Sequence, residues 1–216
     1  MDIPVTVHHA RLGPRAYQVV RPARPLEHAA LLDTGHYLNA YLDQAAARTV
    51  AALWHLAAAS PRTLVHLPLR PPGTGSPEAG GPRPLDLVLL HHTLQFAPAH
   101  WKELRRRLGP GTRRTMSPPA RAAAEPDRTT VHHAGRRDVL VEHTHAETLF
   151  LTGSAKAFRR TAGVFHEIAD NGPAHWRDPA RRGHCCARLD PGGPHARELH
   201  VEYAESAEFG EADPAA

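Results

Sequence analysis

The stretch LDLVLLHHTLQF, residues 85–96, decides the fold class. Its centre, Leu87, Val88, Leu89 and Leu90, is apolar without alternation, the pattern of a strand covered on both faces. Upstream, nine of the 14 residues in 71–84 are Gly or Pro, so this segment reads as a loop that no helix or sheet ladder crosses. Downstream, Pro98 stands where a first helical residue needs no N–H. Trp101, Leu104 and Leu108 then line one helix face, and Gly109 closes it. Strand followed by helix recurs at 147–169. There residues 147–151 read as a strand, and Ser154 caps a helix whose stripe is Phe158, Ala162, Phe165 and Ala169. Asn171 and Gly172 give that helix a stop signal.

Working outward, residues 3–8 and 16–20 read as strands separated by a Gly-Pro break. Residues 34–59 read as one long helix, with Leu38, Tyr41, Leu42, Ala45, Thr49, Ala52, Leu53 and Leu56 at helical spacing, ended by Ser60 before Pro61. Residues 63–69, 129–133, 139–143 and 197–204 read as further strands, and 109–128 as a second loop. The expectation is an α+β fold, with a mixed or antiparallel sheet covered by about three helices. It forms a single domain over 1–204, with possible strand–helix halves at 1–120 and 129–204. The acidic residues 205–216 are expected to be a disordered tail.

Composition narrows the class. The 216 residues are 41% hydrophobic and 22% charged, enough for one packed core. The longest apolar run, 50–59, is interrupted by His55 and too short to span a bilayer, so no membrane role is expected. The first residues carry no basic and then apolar leader, and the two cysteines, Cys185 and Cys186, are adjacent. A cytoplasmic protein without a disulfide framework follows as the expectation. Of 26 basic residues only Lys102 and Lys156 are lysine, a bias of high-GC, actinobacterial-type genomes. Charge is segregated: residues 101–121 carry seven basic side chains against Glu103, whereas 198–216 carry six acids and no Lys or Arg. The Arg-rich run lacks aromatic residues for base stacking apart from Trp101, so nucleic acid is not the expected partner.

Histidine is the compositional anomaly, 18 in 216 residues. His143, His145 and Glu147 are spaced two apart, and on a continuous strand they would share one face as a two-imidazole, one-carboxylate set for a divalent transition metal. His184 and Cys185 add soft ligands from a later loop. The competing reading is a hairpin turned at 144–146, which would leave these histidines near a surface turn. His91 and His92, adjacent on a strand, point to opposite faces, and one of them is expected to be buried and neutral. Ser154 lacks the Gly-x-Ser-x-Gly elbow of a nucleophile, and Gly73 and Gly75 lack the Lys of a phosphate loop.

Residues 149–154 (LFLTGS), the helix through 168–172 (IADNG) and the strand 198–203 (ELHVEY) resemble small immunity proteins of bacterial polymorphic-toxin systems, over about 147–205. That resemblance implies a binding protein without catalytic residues, and no site is carried over from it. The expected function is a non-catalytic, immunity- or antitoxin-like protein that engages a protein partner. Its acids Glu202, Glu205, Glu208 and Glu211 are the candidate contacts to a basic partner. The alternative is a His-dependent metal or haem enzyme.

Overall fold

Period-two patterning at the start of the chain builds a hairpin, β1 (Ile3–Leu12) and β2 (Arg15–Pro22), turned through Gly13 at φ +57°. The computed structural model describes residues 2–70, 81–117, 138–181, 185–192 and 196–205. After the hairpin come β3 (Ala29–Asp33), β4 (Leu38–Leu42), α1 (Gln44–Ala59), β5 (Thr63–Leu67), β6 (Arg83–Pro84) and β7 (Asp86–His91). Then follow α2 (Trp101–Arg106), β8 (Thr112–Met116), β9 (Val141–His145), β10 (Thr148–Gly153), α3 (Ala155–Thr161), α4 (Gly163–Arg177), β11 (Cys186–Leu189) and β12 (Leu199–Tyr203).

The strands form two mixed sheets, and the fold is α+β. The larger runs β8-β1-β2-β5-β7-β10-β9, and the smaller β11-β12-β4-β3-β6. Parallel contacts are made by β2 with β5, β7 with β10 and β12 with β4; the other neighbours are antiparallel. Each sheet is therefore completed by strands from both ends of the chain.

The continuous apolar run of β7 is explained by burial on both faces. Leu87 and Leu89 enter the main core with α1 and α3, while Val88 and Leu90 enter a smaller core under α2 with Trp101, Leu104 and Phe150. Helix α1 packs on β4, β5, β7, α3 and α4. Alanines at 46, 47, 51, 57 and 58 let it approach all of them, and Trp54 sits fully buried between the rings of Phe158 and Phe165. The expected core residues Leu38, Leu42, Leu53, Leu87, Leu89, Trp101, Leu104, Phe158, Phe165 and Val201 are all buried.

Five expectations are corrected. Residues 34–43 are not helical: 38–42 is β4, and Asp43, whose carboxylate accepts from the Ala46 N–H, starts the helix. Leu38, Ala40 and Leu42 fit alternation as well as a helical stripe, and the cap decides between them. The buried face of α1 is accordingly rotated: Val50 and Trp54 are buried, whereas Ala45 is exposed. The segment 109–128 contains β8, an edge strand whose side chains are mostly exposed and carry no apolar pattern. The helix after Ser154 breaks at Ala162 and then runs through Asn171, Gly172 and Pro173 to Arg177. Strands β3, β6 and β11 had no counterpart in the sequence reading, and β6, paired with β3, falls at the end of 71–84, the segment expected to carry no sheet ladder. The expected strand at 129–133 and most of the expected tail lie outside the described residues.

Candidate functional site

Alternation along neighbouring strands places one row of side chains across the α2-covered face of the larger sheet. Arg113 of β8 pairs with Thr6 of β1, which pairs with Arg21 of β2. Arg21 and His66 directly follow the paired Val20 and Val65 of β2 and β5. His66 is in register with Val88, Val88 with Phe150, and Phe150 with His143. Asp86 lies two residues before Val88 and so points to the same face. Above the row, Trp101 of α2 meets the His66 ring edge-on with centroids 4.8 Å apart, and Arg105, one helical turn later, reaches Asp86.

Asp86 is the hub. Its Oδ1 accepts from the backbone N–H of Leu69 and of Arg70, each at 3.2 Å. Its Oδ2 faces Arg105 Nη1 at 3.3 Å, Arg70 Nε at 3.5 Å and His66 Nε2 at 3.7 Å. The last separation is too long for a hydrogen bond. Arg70 also pairs with Glu147 at the rim. Burial alone would raise the Asp86 carboxyl, but His66, the Arg70 N–H and the Arg70 guanidinium outweigh it and hold it below the usual range. His66 is 2% exposed. Burial lowers its pKa to about 4 against the opposing pull of Asp86, with Arg21 and Arg105 adding to the depression. The imidazole is thus neutral at physiological pH. Burial and the nearby Arg105 also lower the Arg21 guanidinium, with Asp86 opposing.

A buried imidazole beside a carboxylate is the base–orienter half of a catalytic set. The other half is missing among the described residues, because neither ring nitrogen of His66 has a hydrogen-bond partner, and so no hydroxyl or thiol is poised on it. The arrangement concentrates positive charge and hydrogen-bond donors.

The residues singled out from the sequence are dispersed. His143 and His145 share a face of β9, with rings stacked at 6.4 Å. Glu147 does not join them: the hairpin turns at Ala146 and Glu147, both at positive φ, and Glu147 swings to Arg70. Cys185 lies far along the chain, just before β11 of the smaller sheet, with its Sγ 3.2 Å from His175 Nδ1. Burial, Glu202 and Glu167 push the neighbouring Cys186 thiol up, away from the thiolate a metal needs. No group of three or more His, Cys, Asp or Glu with metal-ligand geometry occurs among the described residues. His184 lies outside them. Glu202 is half-buried on β12, and Glu205 accepts from the Tyr203 hydroxyl at 3.3 Å and pairs with Arg177 at 3.6 Å. Glu208 and Glu211 lie outside the described residues. Ser154 is a helix cap, accepting from the Lys156 and Ala157 N–H groups. His91 is buried, its Nδ1 bonded to Thr93 Oγ1 at 2.8 Å.

Sequence reasoning missed the Arg21–His66–Asp86–Arg105 cluster because its members come from four separated elements. The one available signal was polar: His66 and Asp86 interrupt otherwise apolar strands two residues from the core residues Leu64 and Val88. It also missed Arg197, which binds Glu142 of β9 at 2.7 Å, Thr144 at 3.0 Å and Asp33 of β3, tying the two sheets together. A third missed pair is His55 and His166, whose Nε2 atoms lie 3.1 Å apart between α1 and α4. Compared with known proteins, the chain matches no family model, no curated protein and no solved structure.

Proposed function

We propose that the chain is a non-catalytic binding protein that engages a basic protein partner, in the manner of an immunity or antitoxin factor. The observation that carries this reading is the outward face of the smaller sheet. Leu199, Val201 and Tyr203 of β12 turn inward and are buried, which leaves His200 and Glu202 on the other side. There Glu202 is in register with Tyr41, and His200 with Asn39. Tyr37, 42% exposed, rests on the His200 ring at 5.3 Å, and Asn39 donates to the Tyr41 hydroxyl at 3.0 Å. Tyrosines with few rotatable bonds, already held by neighbours, give contact area at low entropic cost. Glu202 stands on this face, and Glu198 at its edge is shared with Arg188 of β11 at 3.3 Å. The acidic segment that follows β12 adds the negative charge that would complement a basic partner.

The larger sheet supports the non-catalytic part of the reading, since its buried acid is committed to arginines. No helix among the described residues is long and apolar enough to cross a membrane.

The test is in-cell crosslinking followed by reconstitution of the captured complex from purified proteins. The paired change Tyr41→Ala, Glu202→Arg is expected to weaken that complex about 100-fold or more, as for a central interface anchor. Arg62→Glu, in the exposed turn just before β5 of the larger sheet, should leave it intact. Equal affinity of both variants would remove this face from the reading. Stoichiometric metal in untagged protein, lost in His143→Ala, His145→Ala, would favour the metal-enzyme alternative instead.

A further inference from the structure

The cluster beside Asp86 has more donors than acceptors. Three guanidinium groups, Arg21, Arg70 and Arg105, and one imidazole meet two carboxylates, Asp86 and Glu147. Asp86 is oversubscribed: five N–H donors or cations face its two oxygens, and none approaches closer than 3.2 Å. Buried nitrogens without a hydrogen-bond partner collect here, namely Arg21 Nε, Arg70 Nε, both ring nitrogens of His66 and the indole nitrogen of Trp101. Among the described residues the Arg21 guanidinium has neither an ion pair nor a hydrogen bond, yet it stands within electrostatic reach of Arg105 and Asp86. Buried donors and charges are ordinarily satisfied. A surplus of them at one spot calls for an acceptor that carries negative charge.

We propose that Arg21, Arg105 and His66 bind a tetrahedral oxyanion, inorganic phosphate or the phosphate group of a small phosphomonoester. Guanidinium forks suit such anions, because they donate two parallel hydrogen bonds and keep their charge. The donors also arrive from two layers, Arg21 and His66 from the sheet and Arg105 from the helix above it. A tetrahedral anion accepts from both sides, whereas a planar carboxylate presents its lone pairs in one plane. Arg105 is partly exposed, at 34% of its side chain, so one of the three donors is in contact with solvent. Buried Asp86 and Glu147 at the rim offset two of the three guanidinium charges, leaving a surplus of one positive charge for the ligand. This site is on the larger sheet and is independent of the partner face proposed above.

Titration calorimetry with inorganic phosphate at neutral pH tests the proposal, with ionic strength held constant by sodium chloride. Phenyl phosphate, sulfate and acetate serve as separate arms. One saturable phosphate site per chain is expected, with acetate much weaker. Phenyl phosphate binding as well as phosphate assigns the site to phosphomonoesters, and its exclusion assigns it to the free anion. Arg21→Gln and Arg105→Gln should each weaken phosphate binding by about tenfold or more, the loss of a charge-assisted hydrogen bond. Arg106→Gln, an exposed neighbour, should change it by less than about twofold. In the unaltered protein the Arg21 Nε–H resonance should shift along the same titration, which keeps the test independent of variant folding. Binding that does not saturate, that matches chloride, or that leaves the Arg21 resonance unmoved would overturn the proposal.

Discussion

His66 shows how a single residue couples burial to pH. Its ring is enclosed by Trp101 and the sheet, and burial lowers its pKa from 6.5 to about 4. Between those values the unfolded chain holds a proton that the folded chain lacks. Stability is therefore complete above pH ~6.5 and falls as the pH drops toward ~4, by up to about 3 kcal/mol from this group. His55 and His91, whose pKa values are also lowered by burial, add to the same slope. Urea denaturation across this range should show the loss, and His66→Leu should flatten part of it. The same substitution removes two buried nitrogens without partners while leaving Asp86 its two backbone N–H donors and two arginines. Stability at neutral pH is accordingly expected to hold or rise. An unchanged pH slope in His66→Leu would show that the depression lies elsewhere.

Helix α4 shows why stop signals in a sequence can be overridden. Asn171 and Gly172 followed by Pro173 read as an end, yet the helix continues to Arg177. Two contacts with distant elements account for it. Gly172 lies so close to Tyr203 that a Cβ would stand 2.2 Å from its ring, so the glycine serves close packing against β12. Pro173 has no N–H to give the Ala169 carbonyl, and Gln44 of α1 supplies the missing donor through Nε2 at 2.8 Å. Gln44→Ala should cost about 1–2 kcal/mol, because that carbonyl is left without its partner. In a Pro173→Ala background the new N–H replaces it, so Gln44→Ala should then cost little, a coupling that urea denaturation of the four proteins would read. Additive losses would refute this account. The same logic marks what the sequence could show. The faces of β7, α2 and β12 were legible because one periodicity governed each. The β9–β10 turn was legible only as the competing hairpin, placed at 144–146 rather than at 146 and 147, because Ala146 and Glu147 adopt positive φ without the Asn or Gly that normally announces it. Not legible were β8, whose edge position asks for charge rather than apolar residues, and the Asp86 cluster, assembled by register between strands far apart in the chain.

At the scale of the molecule, two sheets must hold a fixed relation while sharing α1. Packing supplies most of this, but Arg197 adds a directional tie. Its guanidinium joins Glu142 on β9 of the larger sheet to Asp33 on β3 of the smaller, and Asp33 is also held by Arg83 at 2.7 Å and the Gly35 N–H at 2.9 Å. Both carboxylates are 6% exposed, and Glu142 accepts from the Arg197 backbone N–H as well at 2.8 Å. Burial pulls the Arg197 pKa down, but Glu142 and Asp33 more than offset it, and the pKa is raised overall. Removing the guanidinium would leave two acids facing each other across the sheet boundary with only Arg83 to neutralise them. Arg197→Met is therefore expected to destabilise by about 3 kcal/mol, the cost of uncompensated buried charge rather than the net worth of the pair. Adding Glu142→Met should return part of that loss, because the stranded carboxylate goes with it and the methionine fills the space. Urea denaturation of the single and double variants would measure this recovery. A double variant as unstable as the sum of the singles would mean that Arg197 acts through packing of its stem alone and that the sheets are joined by packing on α1.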